Sequence, residues 1–134
     1  MKALLVVTDN YGLDCKKAFE FLKRFLREGD GVEVLGVLEG VYLLEKTSVS
    51  LGMPVPPSAK EEAKERLVKR VRAFWDEIIG TAPPEPEVCV GPLAEELKKF
   101  TEGKRYDLVV FACYPASGLC KVVDELEANS LIIK

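Results

Sequence analysis

The chain has no histidine and no glutamine, and only two asparagines among its 134 residues. Without an imidazole there is no histidine base to activate a serine or cysteine nucleophile. Four cysteines stand at 15, 89, 113 and 120, and none belongs to a Cys-x-x-Cys pair. The close-spaced Cys/His set of a structural zinc site is therefore missing. A disulfide framework is not expected in a cytosolic chain of this size, so the cysteines read first as small buried hydrophobes. No apolar run approaches the ~20 residues of a membrane span. The net charge of −3 leaves no basic footprint for nucleic acid. The apolar start, Met1–Val7, meets Thr8-Asp9-Asn10 too soon for a signal peptide and is followed by no small-residue cleavage site. A cytoplasmic protein is expected. Scarce amide side chains beside many Lys and Glu are the bias of thermophile proteins.

What is present fits a single domain over 1–134, long enough to bury one core. Ala3–Val7 is a continuous run of apolar, branched residues, the pattern of a strand buried on both faces. A helix follows, with Cys15, Ala18, Phe19, Leu22, Phe25 and Leu26 on one face, and Gly29-Asp30-Gly31 ends it. Val32–Leu38 reads as the second strand. The segment 39–57, punctuated by Gly40, Gly52, Pro54, Pro56 and Pro57, reads as a long loop with a helical turn at Val41–Lys46. Such a loop is a lid, a contact surface or a surface excursion. Ser58-Ala59-Lys60-Glu61 has the form of a capping box. It opens a long helix to about Ile79, with Ala63, Leu67, Val71, Phe74, Trp75 and Ile78 as its stripe. Glu62–Arg66 and Glu65–Lys69 are spaced as i,i+4 pairs on a solvated face. Val88-Cys89-Val90 is a short third strand. Gly91-Pro92 opens a helix lined by Leu93, Leu97 and Phe100. Leu108–Ala112 is the fourth strand, Leu119–Leu126 the last helix and Ser130–Lys134 a final strand. Strands alternating with helices imply parallel, right-handed crossovers and a sheet covered on both faces.

These pieces resemble the universal stress protein family over nearly the whole chain. The resemblance rests on Leu4-Leu5-Val6-Val7-Thr8-Asp9, Val34-Leu35-Gly36-Val37-Leu38, Val90-Gly91-Pro92-Leu93-Ala94-Glu95-Glu96-Leu97 and Tyr106-Asp107-Leu108-Val109-Val110, in that order. It implies a three-layer α/β/α sandwich, Rossmann-like and similar to the adenine nucleotide alpha hydrolases. Its five-stranded parallel sheet would run 3-2-1-4-5. The turns Asp9–Gly12 and Cys113–Gly118 would then flank one crevice at the topological switch point. Many family members bind ATP there, through an aspartate after the first strand, the end of the second strand and a glycine motif after the fourth. By the resemblance, the nucleotide residues would be Asp9, Val37, Ala112, Cys113, Pro115, Ser117 and Gly118, with ATP or AMP as cofactor.

The glycine motif departs from the family pattern. Ala112 and Pro115 stand where two glycines belong, and the third falls near Glu125 or in a deletion. Phosphate cradling needs free backbone N–H groups and no intruding Cβ, and proline removes a donor. The expectation is a homodimeric, stress-response regulatory protein without the usual ATP-binding mode. The dimer would form through the apolar C-terminal strand, Leu131, Ile132 and Ile133, pairing with its copy, as family members commonly do. Cover of that edge by the 39–57 loop within one chain is the alternative. A regulatory protein partner is implied but not identified. Two other readings stand beside it: a nucleotide-binding protein with an altered pocket, and a thiol sensor or enzyme using Cys113 at the start of the last helix. Asp9 has a plainer reading as the N-cap of the next helix. Tyr11 and Tyr114 could stack on a base. A flavodoxin reading fails because Thr8–Gly12 is poor in hydroxyls and glycine. No carboxylate pair stands out as acid and base, and no catalytic residue is assigned.

Overall fold

The computed structural model describes residues 2–9, 16–27, 29–52, 56–112 and 129–133. Strands β1 (Lys2–Thr8), β2 (Gly31–Val37), β3 (Glu87–Cys89), β4 (Leu108–Ala112) and β5 (Asn129–Ile133) form one parallel sheet, in the order β3-β2-β1-β4-β5. Helices α1 (Lys16–Phe25), α2 (Glu39–Ser50), α3 (Pro57–Phe74) and α4 (Leu93–Thr101) connect them. The α/β sandwich and the strand order agree with the sequence expectation. The expected last helix, Leu119–Leu126, lies outside the described residues.

The apolar run of β1 is explained by burial on both faces. Leu5 pairs in register with Val34 of β2 and Val110 of β4, and these three face α1 and α3. There they meet Phe19, Leu22, Leu67, Val71 and Trp75. Val6, one residue on, pairs with Leu35 and Phe111, and these face α4 through Leu93 and Leu97. A one-residue alternation thus feeds two cores, giving the three layers. Each fully buried Leu or Phe in them contributes about 2 kcal/mol through burial of apolar surface. At the N-terminal end of the sheet, the Tyr106 hydroxyl donates to Glu33, Lys2 pairs with Glu33 at 3.7 Å, and Phe100 stacks on Tyr106. Burial and the Glu33 carboxylate push the Tyr106 phenol above its ordinary range. This cluster fastens the end of the sheet opposite to the strand C-termini.

The 39–57 segment is not the long loop expected. Residues 39–50 form the 12-residue helix α2. Gly40 lies in its first turn, and every proline of the segment falls after its end. α2 meets Asp9 at the end of β1 and Lys60 of α3, which pairs with Glu45. The expected capping box is not formed either. Pro56 is the N-cap of α3 in extended conformation, Pro57 occupies the first helical turn, and no side chain caps. Proline's fixed φ already suits that start, so Ser58 is absorbed into the helix. The i,i+4 pairs Glu62–Arg66 and Glu65–Lys69 are absent among the described residues; α3 pairs Lys60 with Glu45 and Arg72 with Glu85. Phe25, expected on the inner face of α1, is 48% exposed and stacks on Phe21 at 4.8 Å. Past Phe74 the helix widens into a π-helical turn, Trp75–Ile79, closed by Gly80 at φ 82°. The wider turn keeps Trp75 in the core, where its indole N–H donates to Thr81 at 3.2 Å.

Candidate functional site

β1 stops at Thr8, β2 at Val37 and β4 at Ala112, so the C-terminal ends of these three strands lie at one edge. Asp9 is the first side chain past β1, and both of its carboxylate oxygens are engaged. Oδ1 accepts from the Gly40 N–H at 2.8 Å and Oδ2 from the Val41 N–H at 3.2 Å. Asp9 therefore caps a helix, α2, 31 residues on. The capping explains Gly40. A Cβ built there would lie 3.2 Å from Asp9 Oδ2, so the missing side chain lets the carboxylate approach. The unsatisfied N–H groups and the positive end of the α2 dipole both favour this arrangement.

The residue before Gly40 repeats the device. Glu39, in the first turn of α2, accepts from the Leu93 N–H at 2.9 Å. Leu93 begins α4, behind Pro92, which has no N–H to offer. The end of β1 thus holds α2, and α2 holds α4, through two carboxylates at two helix N-termini.

Beside this clasp a cleft of about 270 Å³ opens between α2 and α3, lined by Asp9, Gly40, Val41, Leu44, Ala63, Arg66 and Leu67. Its walls are mostly aliphatic. Leu44 is 56% exposed at its mouth. Arg66 forms no hydrogen bond or ion pair among the described residues. The cleft can take a small ligand with an apolar body and a negatively charged group.

Of the residues expected to touch a nucleotide, Asp9, Val37 and Ala112 are described, and all lie at this edge. Asp9 alone presents its side chain to the cleft. Val37 is fully buried on the α4 side of the sheet, and Ala112 is buried on the α1 side. Those two offer backbone, not side chain, to anything bound above the sheet. Cys113, Pro115, Ser117 and Gly118 lie outside the described residues, as do Tyr11 and Tyr114. Leu131, Ile132 and Ile133 belong to β5, at the end of the strand order. Sequence reasoning missed the amides of Gly40 and Val41, and missed Arg66. The Gly40 signal was readable: a glycine two residues beyond a strand, opening an amphipathic stretch. The sequence pattern puts Arg66 on a solvated face, and α3 leaves it exposed.

Cys89 closes β3 near the same edge. Burial first, and then the Glu96 carboxylate, push its thiol up to about 12. Its Sγ lies 3.6 Å from the Gly36 carbonyl oxygen. A thiol held protonated is not a nucleophile. Among the described residues no group of three or more His, Cys, Asp or Glu side chains could hold a metal ion, and no helix is long and apolar enough to cross a membrane.

No family model matches the chain. A universal stress protein of Aquifex aeolicus is 50% identical over 136 aligned positions, which cover the whole of both chains. Among solved structures, the universal stress protein from Archaeoglobus fulgidus in complex with dAMP superposes with a TM-score of 0.65 at 18% identity, over 100% of this chain and 98% of that one. A universal stress protein family protein from Arabidopsis thaliana with AMP bound gives 0.63 at 15% identity, over 100% and 92%. At such identities these two establish likeness of fold.

Proposed function

Because this chain belongs to the universal stress protein family, by 50% identity with a relative along its full length, we propose that it is a small stress-response regulatory protein without the family's usual way of holding ATP. The observation that carries this reading is the Asp9 carboxylate. Both of its oxygens accept from α2 amides, so a nucleotide using Asp9 must first displace a helix cap worth about 1 kcal/mol. The sequence after β4 supports the same reading, since Ala112 and Pro115 replace glycines that would bring backbone N–H groups to a triphosphate. The protein acts as a cytoplasmic homodimer through β5 and signals to a regulatory partner by its surface.

A second reading has its own support. The cleft beside Asp9 is close to the smallest volumes of small-molecule sites, roughly 300 Å³, and the Archaeoglobus and Arabidopsis relatives were solved with dAMP and AMP. On this reading a nucleoside monophosphate binds through an altered pocket.

Isothermal titration of ATP, ADP and AMP into the purified protein separates the two. The first reading expects no ATP binding at millimolar nucleotide. AMP binding without ATP binding selects the second. ATP binding tighter than AMP binding overturns both.

A further inference from the structure

We infer that the cleft between α2 and α3 receives a compact organic anion, a phosphomonoester or carboxylate on a single apolar ring or short chain, with Arg66 as its anchor. The inference rests on the reading that the Asp9 edge is the ligand site of this chain. It adds a residue, from α3, and a ligand class.

The charges in the cleft decide the sign of the ligand. Its one carboxylate, Asp9, is met by the Gly40 and Val41 N–H groups at the positive end of α2. Its one cation, Arg66, has no partner among the described residues. Of the other basic residues of α3, Lys60 pairs with Glu45 and Arg72 with both oxygens of Glu85 at 2.8 and 2.7 Å, and none of them lines the cleft. The charged group of the cleft left without a hydrogen-bonding partner among the described residues is therefore the cation. It sits on the side chain best shaped to grip a carboxylate or phosphate with two parallel hydrogen bonds.

The walls decide the rest of the ligand. Val41, Leu44, Ala63 and Leu67 offer aliphatic surface and no donor or acceptor side chain. Leu44, half exposed, gains cover when an apolar body lies against it. A volume of about 270 Å³ admits one ring with one anionic group.

The test uses phenyl phosphate, benzoate and uncharged phenol, titrated into the wild-type chain, Arg66→Gln and Lys69→Gln with isotope-edited NMR as readout. Both substitutions are on exposed positions of α3, and thermal melts confirm that the variants fold. The expected result is saturable binding of phenyl phosphate or benzoate, shifting α2 and α3 resonances. Arg66→Gln weakens it by about tenfold or more, the scale of a lost charge-assisted pair, while Lys69→Gln leaves it within about twofold, the small effect of an exposed charge that does not line the cleft. Phenol binds more weakly than either anion. The inference is overturned if neither anion binds, if phenol binds as well, or if Arg66→Gln and Lys69→Gln behave alike. An ATP titration on the same three proteins keeps the two readings apart. Tight ATP binding unchanged in Arg66→Gln removes the proposed function, while the phenyl phosphate result alone decides the role of Arg66.

Discussion

At Cys89 two environments compete. The thiol ends β3 three residues before the proline that caps α4, and a helix N-terminus lowers a thiol's pKa. Burial and the Glu96 carboxylate outweigh that effect and push the thiol up to about 12. The consequence is a pH dependence of stability with a definite sign. Above about pH 8.5 the unfolded thiol loses its proton while the folded one keeps it. The unfolded state then binds fewer protons, so stability falls as pH rises toward 12. Melting temperatures of wild type and Cys89→Ala, followed from pH 7 to 11, are expected to converge as pH rises, because the variant lacks this loss. Parallel curves would show that the thiol does not titrate differently on folding. Gly36 makes a separate point about close packing. A Cβ there would lie 2.5 Å from Leu67 Cδ2, a buried side chain in the core. Gly36→Ala must push Leu67 off its place between β2 and α3, so it is expected to destabilise by about 1–3 kcal/mol in urea unfolding.

Helix α2 is held mainly by polar contacts. Val41 packs against the core, but Leu43 and Leu44 are 48% and 56% exposed. Bonds that hold it include the Asp9 cap, the Glu39 bond to α4 and the Glu45–Lys60 pair. An element with little burial opens locally at low cost. Asp9→Ala removes the acceptors of two amides and costs α2 about 1 kcal/mol. Amide hydrogen exchange over residues 39–50 is expected to accelerate roughly fivefold to tenfold, the rate equivalent of that cost, with β1, β2 and β4 unchanged. Uniform acceleration across the sheet would mean that Asp9 supports the whole fold instead of this helix. The same element shows why local reading stopped short. Periodicity gave the strands and α3 because their signal lies within one segment. The cap of α2 comes from a residue 31 positions away, and the cap of α4 from one 54 positions away. Gly40 and the prolines after residue 52 therefore looked like loop punctuation, when they are a close approach and the stop beyond the helix.

Across the whole molecule, the order β3-β2-β1-β4-β5 leaves β3 and β5 at the edges. Alternating strand and helix signals made that layout legible, since β1 is apolar on both faces and central. The site was legible only as an edge of the sheet, because the cleft is built from β1, α2 and α3, which no local motif joins. The strand order also bears on assembly. β5 pairs with β4 along Asn129–Ile133, and among the described residues no strand lies on its other side. A stretch reading Leu131-Ile132-Ile133 with a free row of backbone N–H and C=O groups is a template for pairing. Two copies related by a two-fold axis satisfy each other's edge with the same residues. Helix α2, which opens the segment expected as an alternative cover for this edge, is fixed between Asp9 and α4. Sedimentation equilibrium at micromolar concentration is therefore expected to give twice the mass of one chain. The amides of 129–133 should exchange more slowly as protein concentration rises, since pairing through β5 protects them only in the dimer. A dimer whose β5 exchange is independent of concentration would place the interface on another surface. The exposed leucines of α2 would then be the next face to test, by Leu43→Lys. A monomer would leave β5 as an open edge.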